Sequence, residues 1–393
     1  MESTPATFGG RRRRWSTPVL VVADDGTDAA GHPNSPLLLI GFAGDRADGD
    51  AAIAMPLLSS SPSCNAGLAK DGDGRWVATD GDDEARCLIS TCSGSEHYGL
   101  PLLPPYMGGE NANRGGGGVN FAVIGATALS DDVLEAKWSY SRDNISMMAQ
   151  INMFKTYLPS ICKTSSCHEI LDKSLIVFGS FGSNDYASTV LMKKVEDAYR
   201  LQPLVINAVG SAIEELIKLG VVNLVVLGML PTGCLGDCLA VYYDSNEEDY
   251  DPITGCLTWL NEFTQKHNEL LQKELTRIQE HYPNVFITYA DYYNAGLQLF
   301  ISPNKYGFNK ETRLISCCGS GGPYNSDVDD TKCGYPFSHA CDDPSSYIEW
   351  FGAHLTQAAN EWIAKGLLSG LYTSPNITIS CVSSANGNGV YVY

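Results

Sequence analysis

The sequence has no apolar run long enough to cross a membrane, which takes about 20 consecutive apolar residues. It is also short of positive charge. Its 26 Lys and Arg face 45 Asp and Glu, for a net charge of −19 and a pI near 4.7. So acidic a surface repels phosphate backbones and anionic lipid, which argues against nucleic acid and against electrostatic membrane partners. The basic run RRRR at residues 11–14 is too short and isolated to change that reading. A secretory leader is not evident either, because the apolar stretch at residues 19–23 ends at Asp24 and Asp25; such leaders carry an apolar core of about seven to fifteen residues. No internal repeat is present. The segment CLGDC, Cys234 to Cys238, has the spacing of a zinc half-site, but no second matching pair with nearby histidines follows it, so no metal is expected.

What is present is an ordinary globular balance, with 44% hydrophobic and 18% charged residues. The 393 residues suffice for one large domain or two modest ones. Thirteen cysteines are many for a reducing compartment, so the composition predicts several disulfides and an oxidising location, with the odd count leaving one thiol over. Two glycosylation sequons, at Asn144 and Asn376, agree with secretion.

Residues 1–94 are rich in Gly, Ala, Asp and Ser, poor in periodicity and dense in turn signals, the composition of a divergent, partly disordered segment. Two short apolar runs there, residues 19–23 and 37–42, are candidate strands. From about residue 95 strands and helices alternate. NFAVIGATAL reads as strand into loop, and KSLIVFGSFGSNDYAS as a strand at residues 175–178 running into a Gly/Ser/Asn loop. A helix from Pro203 is expected to end at Gly220, and a long one to stop at Pro283. VVNLVVLG and NVFITYA read as buried strands, and LTQAANEWIAKGLL as a final helix. This alternation predicts a parallel sheet covered on both faces, with any site at the carboxyl ends of its strands.

Three loop residues could carry chemistry there. A backbone N–H from the Gly125 loop and the side-chain amide of Asn184 could together stabilise an oxyanion. His354 could take a proton from a hydroxyl. Singly, each has a plainer reading. Gly125 serves as a turn glycine, Asn184 and Asp185 as helix caps, and His354 precedes a helix capped by Thr356.

In their order and setting these segments resemble the plant GDSL esterase/lipase family of the SGNH hydrolases. GLPLLPPYM with GVNFAVIGATAL is similar to that family's second block, and FGSNDY to its third. LGMLPTGC, DYDPITGCLTWLNEF, KHNELL, YADYYNA, CCGSGGPYN and CGYP are similar to segments of the plant members, and CDDPSSYIEWFGAHLT to the fifth block. The resemblance covers residues 95–375 and leaves 376–393 as a tail. It implies a three-layer α/β/α, flavodoxin-like fold with a mostly parallel sheet of about five strands. It implies hydrolysis of a carboxylic ester or lipid through a seryl acyl-enzyme, with no cofactor. Gly125 and Asn184 then match the oxyanion hole and His354 the general base. Disulfides are expected between residues 162 and 341, Cys162–Cys167 being the most local candidate.

Two departures stand against that pattern. The Gly-Asp-Ser-Leu block that supplies the serine is absent. Its nearest counterpart is Gly44-Asp45 after the apolar run 37–42, where Arg46 stands in the serine's place. Arginine stays charged and is a poor nucleophile. Ser59, Ser60 and Ser61 lack a Gly-Asp setting. At the other end, Phe351 replaces the aspartate of Asp-x-x-His, which would fix the imidazole tautomer and stabilise its charged form. The alternatives to an active hydrolase are a fold-retaining, non-catalytic member that binds an ester, lipid or cell-wall saccharide, or a chain whose first segment is not the family's own. Asp343 and Glu349 are the carboxylates nearest in sequence to stand in for the missing aspartate.

Overall fold

The computed structural model describes residues 118–377, apart from 124, 139–145, 163–166, 173, 327–332 and 334–336, together with Tyr106 and three short strands before it. Those early strands are β1 (Leu39–Phe42), β2 (Leu68–Lys70) and β3 (Trp76–Ala78). Arg46, Asn144, Ser59 to Ser61 and the apolar run 19–23 lie outside the described residues.

The main sheet takes β1, then β4 (Gly118–Asn120), β5 (Leu175–Phe178), β6 (Asn223–Leu227) and β7 (Phe286–Ala290), all parallel. Five smaller strands follow: β8 (Cys318–Gly319), β9 (His339–Ala340), the hairpin strands β10 (Glu349–Phe351) and β11 (His354–Leu355), and β12 (Thr373–Ser374). β12 joins the main sheet antiparallel to β7, so the spatial order is β12-β7-β6-β5-β1-β4. The parallel core of five strands is the expected one, with the antiparallel edge strand added. All four residues of β5 are buried, which requires cover on both faces and explains why LIVF is apolar without alternation.

The chain passes from β1 to β4 on one side and then returns across β1 to β5 on the other. That reversal is a topological switch point, and in open α/β sheets ligands bind beyond the carboxyl ends of the strands that flank it. The loop after β4, which carries Gly125, and the loop after β5, which leads into the helix that bears Asn184, therefore emerge at one place. β1 itself comes from the segment that composition sets apart.

The helices follow their apolar spacing with one difference. The helix expected from Pro203 starts two turns earlier and spans Val195–Lys218. Proline breaks helices by lacking an N–H and crowding the preceding turn, yet here ten buried residues, Ala198 and Leu201 among them, hold both sides of Pro203 against the core. Gly220 follows with φ +108°, the left-handed ending expected of it. The helix Thr258–His281 packs beside it and stops before Pro283. The last helix, Gln357–Leu368, is capped by Thr356, whose hydroxyl accepts the N–H of Ala359 at 3.2 Å.

Candidate active site

The loop after β4 and the helix Ser183–Leu191 after β5 are tied together by two adjacent side chains. Asn184 Nδ2 donates to the carbonyl of Ala126 at 3.0 Å. The Asp185 carboxylate accepts the N–H groups of Ala128 and Leu129, each at 2.9 Å. Both residues are 1% exposed. Neither acts as the helix cap that the plain reading gave them, since the N-cap position is Gly182 and the two lie in the first turn. A buried carboxylate is expensive unless it is hydrogen-bonded. Asp185 meets that condition with two backbone donors, and its place in the first helical turn suits the dipole. Gly125, with φ +75°, makes the turn that brings Ala126 to Asn184, a backbone region that favours glycine.

Behind this helix Tyr186 and His267 form a buried pair, hydroxyl to Nδ1 at 2.8 Å. Burial lowers the His267 pKa to about 3 and raises that of Tyr186, so both are neutral near pH 7.

His354 is not a helix-start residue. It sits in a tight hairpin, where Phe351 of β10 pairs with His354 of β11. The two rings stack, with centroids 4.9 Å apart and planes at 30°. Phe351 thus lies against the imidazole across the hairpin. Gly352 at the turn has φ +53°, and the Asp237 carboxylate lies against its Cα where any side chain would collide.

The hairpin is clamped from two sides. The Asp237 N–H donates to the Gly352 carbonyl at 2.9 Å, and the Gly352 N–H donates to Ser316 Oγ at 3.1 Å. Glu349, fully buried, takes the N–H of Gly236 on both carboxylate oxygens, at 2.9 and 3.0 Å. Asp343 is exposed and accepts from Ser345, where it caps a short turn. Disulfides Cys317–Cys341 and Cys318–Cys333 pack with Trp350 behind the hairpin.

Two further disulfides join Cys162 to Cys167, as expected, and Cys234 to Cys256. The second occupies one half of the CLGDC spacing with a disulfide, while Cys238 keeps a buried thiol. Asn376 is exposed after β12.

A small cleft open to solvent lies between the helix Ser183–Leu191, the loop after β6 and the helix Thr258–His281. Ser183 and Ala353, the chain neighbours of Asn184 and His354, are both on its wall. Sequence reasoning reached Gly125, Asn184 and His354 through short local motifs. It missed Asp237 and these uses of Asp185 and Glu349, because their partners are far away in the chain; only the apolar setting of those acids could have flagged them.

The profile of the GDSL-like Lipase/Acylhydrolase family matches residues 78–367. Two GDSL esterase/lipases of Arabidopsis thaliana are similar to the chain. One is 44% identical across 74% of this chain and 76% of its own, the other 46% identical across 75% of each. The sinapine esterase of Brassica napus is 42% identical across 79% of each chain. With its strand order, its loops at the switch point and these matches, the chain belongs to the GDSL-like lipase/acylhydrolase family.

Proposed function

We propose that the loops at the switch point form an acyl-transfer site for carboxylic esters. Gly125 N–H and the Asn184 amide serve there as oxyanion donors and His354 as general base. The observation that carries this reading is the bond from Asn184 Nδ2 to Ala126 O, which fixes a side-chain amide beside the Gly125 turn. As an ester carbonyl is attacked its oxygen gains charge, and donors held in place beforehand stabilise it without reorganising. His354 takes the proton of the attacking hydroxyl and returns it to the leaving alcohol.

Arg46 follows β1 where the family carries its serine, so hydrolysis by this chain needs another oxygen nucleophile, a water activated by His354. The second reading, a non-catalytic binder, is favoured by the stacking of Phe351 on His354, which puts a ring in place of a carboxylate. Four disulfides among the described cysteines support an oxidising compartment, and an exposed Asn376 supports secretion.

Release of nitrophenol from short-chain nitrophenyl esters, with sinapine as a further substrate, separates the readings. The hydrolase reading expects turnover that disappears in His354→Ala and falls about 10²- to 10³-fold in Asn184→Ala. Equal background in all three proteins would leave the binding-only reading.

A further inference from the structure

We propose that Asn376 carries an N-linked glycan whose first sugar packs on an aromatic surface of this same chain, formed by Tyr372 and Trp362. The inference rests on the secretory reading and is independent of ester hydrolysis.

The sequon NIT at Asn376 follows β12, where the chain folds back on the end of the helix Gln357–Leu368. Trp362 and Gly366 lie four residues apart, on one face of that helix. Gly370 follows just past its end, with φ +80°. The Tyr372 ring covers Gly366 so closely that a Cβ there would lie 2.8 Å from Cδ2. The Asn376 amide covers Gly370 in the same way, its atoms 3.0 to 3.1 Å from where a Cβ would be. Gly366 and Gly370 are separated by roughly 6 Å at the helical rise, so the Asn376 amide stands about one sugar residue from the Tyr372 ring. That ring meets Trp362 at 6.1 Å between centroids, and Trp362 meets Tyr306 at 4.5 Å. All three rings are half-buried, and Leu371 beside them is 69% exposed.

Adjacent apolar side chains left at a surface mark a place that something covers. Here the chain itself names the occupant, because a glycosylation site lies at the edge of the patch. Asn376 is exposed, as the transferase that modifies it requires. In that transfer the Asn376 Nδ2 attacks C1 of an oligosaccharide held on a lipid pyrophosphate. The C1–N bond forms, the C1–O bond breaks, the lipid pyrophosphate leaves and the amide gives up one proton. An N-acetylhexosamine carries an apolar C–H face and an acetamido methyl. Both bury well against the electron-rich face of an aromatic ring, while the hydroxyls stay in water. Only the first sugar is close enough to do this, so the rest of the glycan serves solubility.

The full chain is expressed in plant cells with its own start and, in parallel, behind an added secretory leader. Mass spectrometry of the Asn376 peptide is expected to find the sugar. Three forms are then melted: the glycosylated protein, the same protein trimmed by an endoglycosidase to the single sugar on each asparagine, and Asn376→Gln trimmed likewise. The first two are expected to melt together, about 2 °C or more above the third. Trp362→Leu and Tyr372→Leu, each set against Asn376→Gln in a double-mutant cycle, are expected to remove that difference. NMR of the trimmed protein is expected to show the acetamido methyl in contact with both rings; this reading needs no variant, so it carries the test where a ring substitution does not fold. An unmodified Asn376 in the leader-bearing protein would overturn the inference. So would a melting point indifferent to the single sugar, or a methyl that touches neither ring. Sugar found only behind the added leader would count against the secretory reading, and the packing would be read on that sample.

Discussion

At the scale of single residues, Phe351 and His267 show opposite uses of an apolar neighbourhood. Phe351 presents His354 with a ring where a carboxylate would attract the protonated imidazole. Phe351→Asp is expected to raise the His354 pKa, because a nearby opposite charge favours the charged form. NMR titration of the imidazole checks this whether or not the protein turns over ester, and an unshifted curve would show that position 351 does not address the ring. His267 is held neutral by burial, with a pKa of about 3 against an ordinary 6.5. Below pH 6.5 the unfolded chain gains a proton that the folded chain refuses. Stability is therefore present above that pH and is lost as pH falls toward 3, by about 1.4 kcal/mol per pH unit. His267→Gln is expected to flatten this limb in denaturant titrations between pH 6 and 4, and an unchanged slope would assign it to other groups. Gly125, Asn184 and His354 stand out as candidates in the sequence because each sits in a short motif of fixed spacing. Asp237 could not, since its part depends on Gly352, which reaches it only through the fold.

At the scale of elements, the loop after β4 and the helix after β5 act as one unit through the Asp185 carboxylate. Asp185→Ala removes the acceptor of two buried N–H groups and is expected to cost about 2–5 kcal/mol, with charged hydrogen bonds at the upper end. A melting curve measures it, and a loss below 1 kcal/mol would mean that the loop holds its shape by other contacts. The elements themselves were largely legible. Leu175–Phe178 was read to the residue because a fully buried parallel strand is apolar throughout. The helix at Val195–Lys218 was read short because Pro203 is a local signal for a start, whereas the burial that overrides it is tertiary. The hairpin of Phe351 and His354 went unread. Two strands this short have no periodicity, and their clamps come from residues 236–237 and 316–317.

At the scale of the whole molecule, the sheet is joined across chain segments of very different character. Composition marks residues 1–94 as divergent, yet β1 from that segment pairs with β4 on one side and β5 on the other. A chain beginning at residue 95 would leave the facing edges of β4 and β5 without their shared partner. Unpaired strand edges recruit other chains, so that truncation is expected to aggregate more than the full chain, as size-exclusion chromatography of the two would show. A soluble, monomeric truncation would mean that the two edges close on each other. Placement of β1 between β4 and β5 also sets an order of events during synthesis. The strand is made early, while β5 and the helices that cover it come much later along the chain. Until then it is an apolar segment whose β5-facing edge is open, a part of the nascent protein that a chaperone would protect.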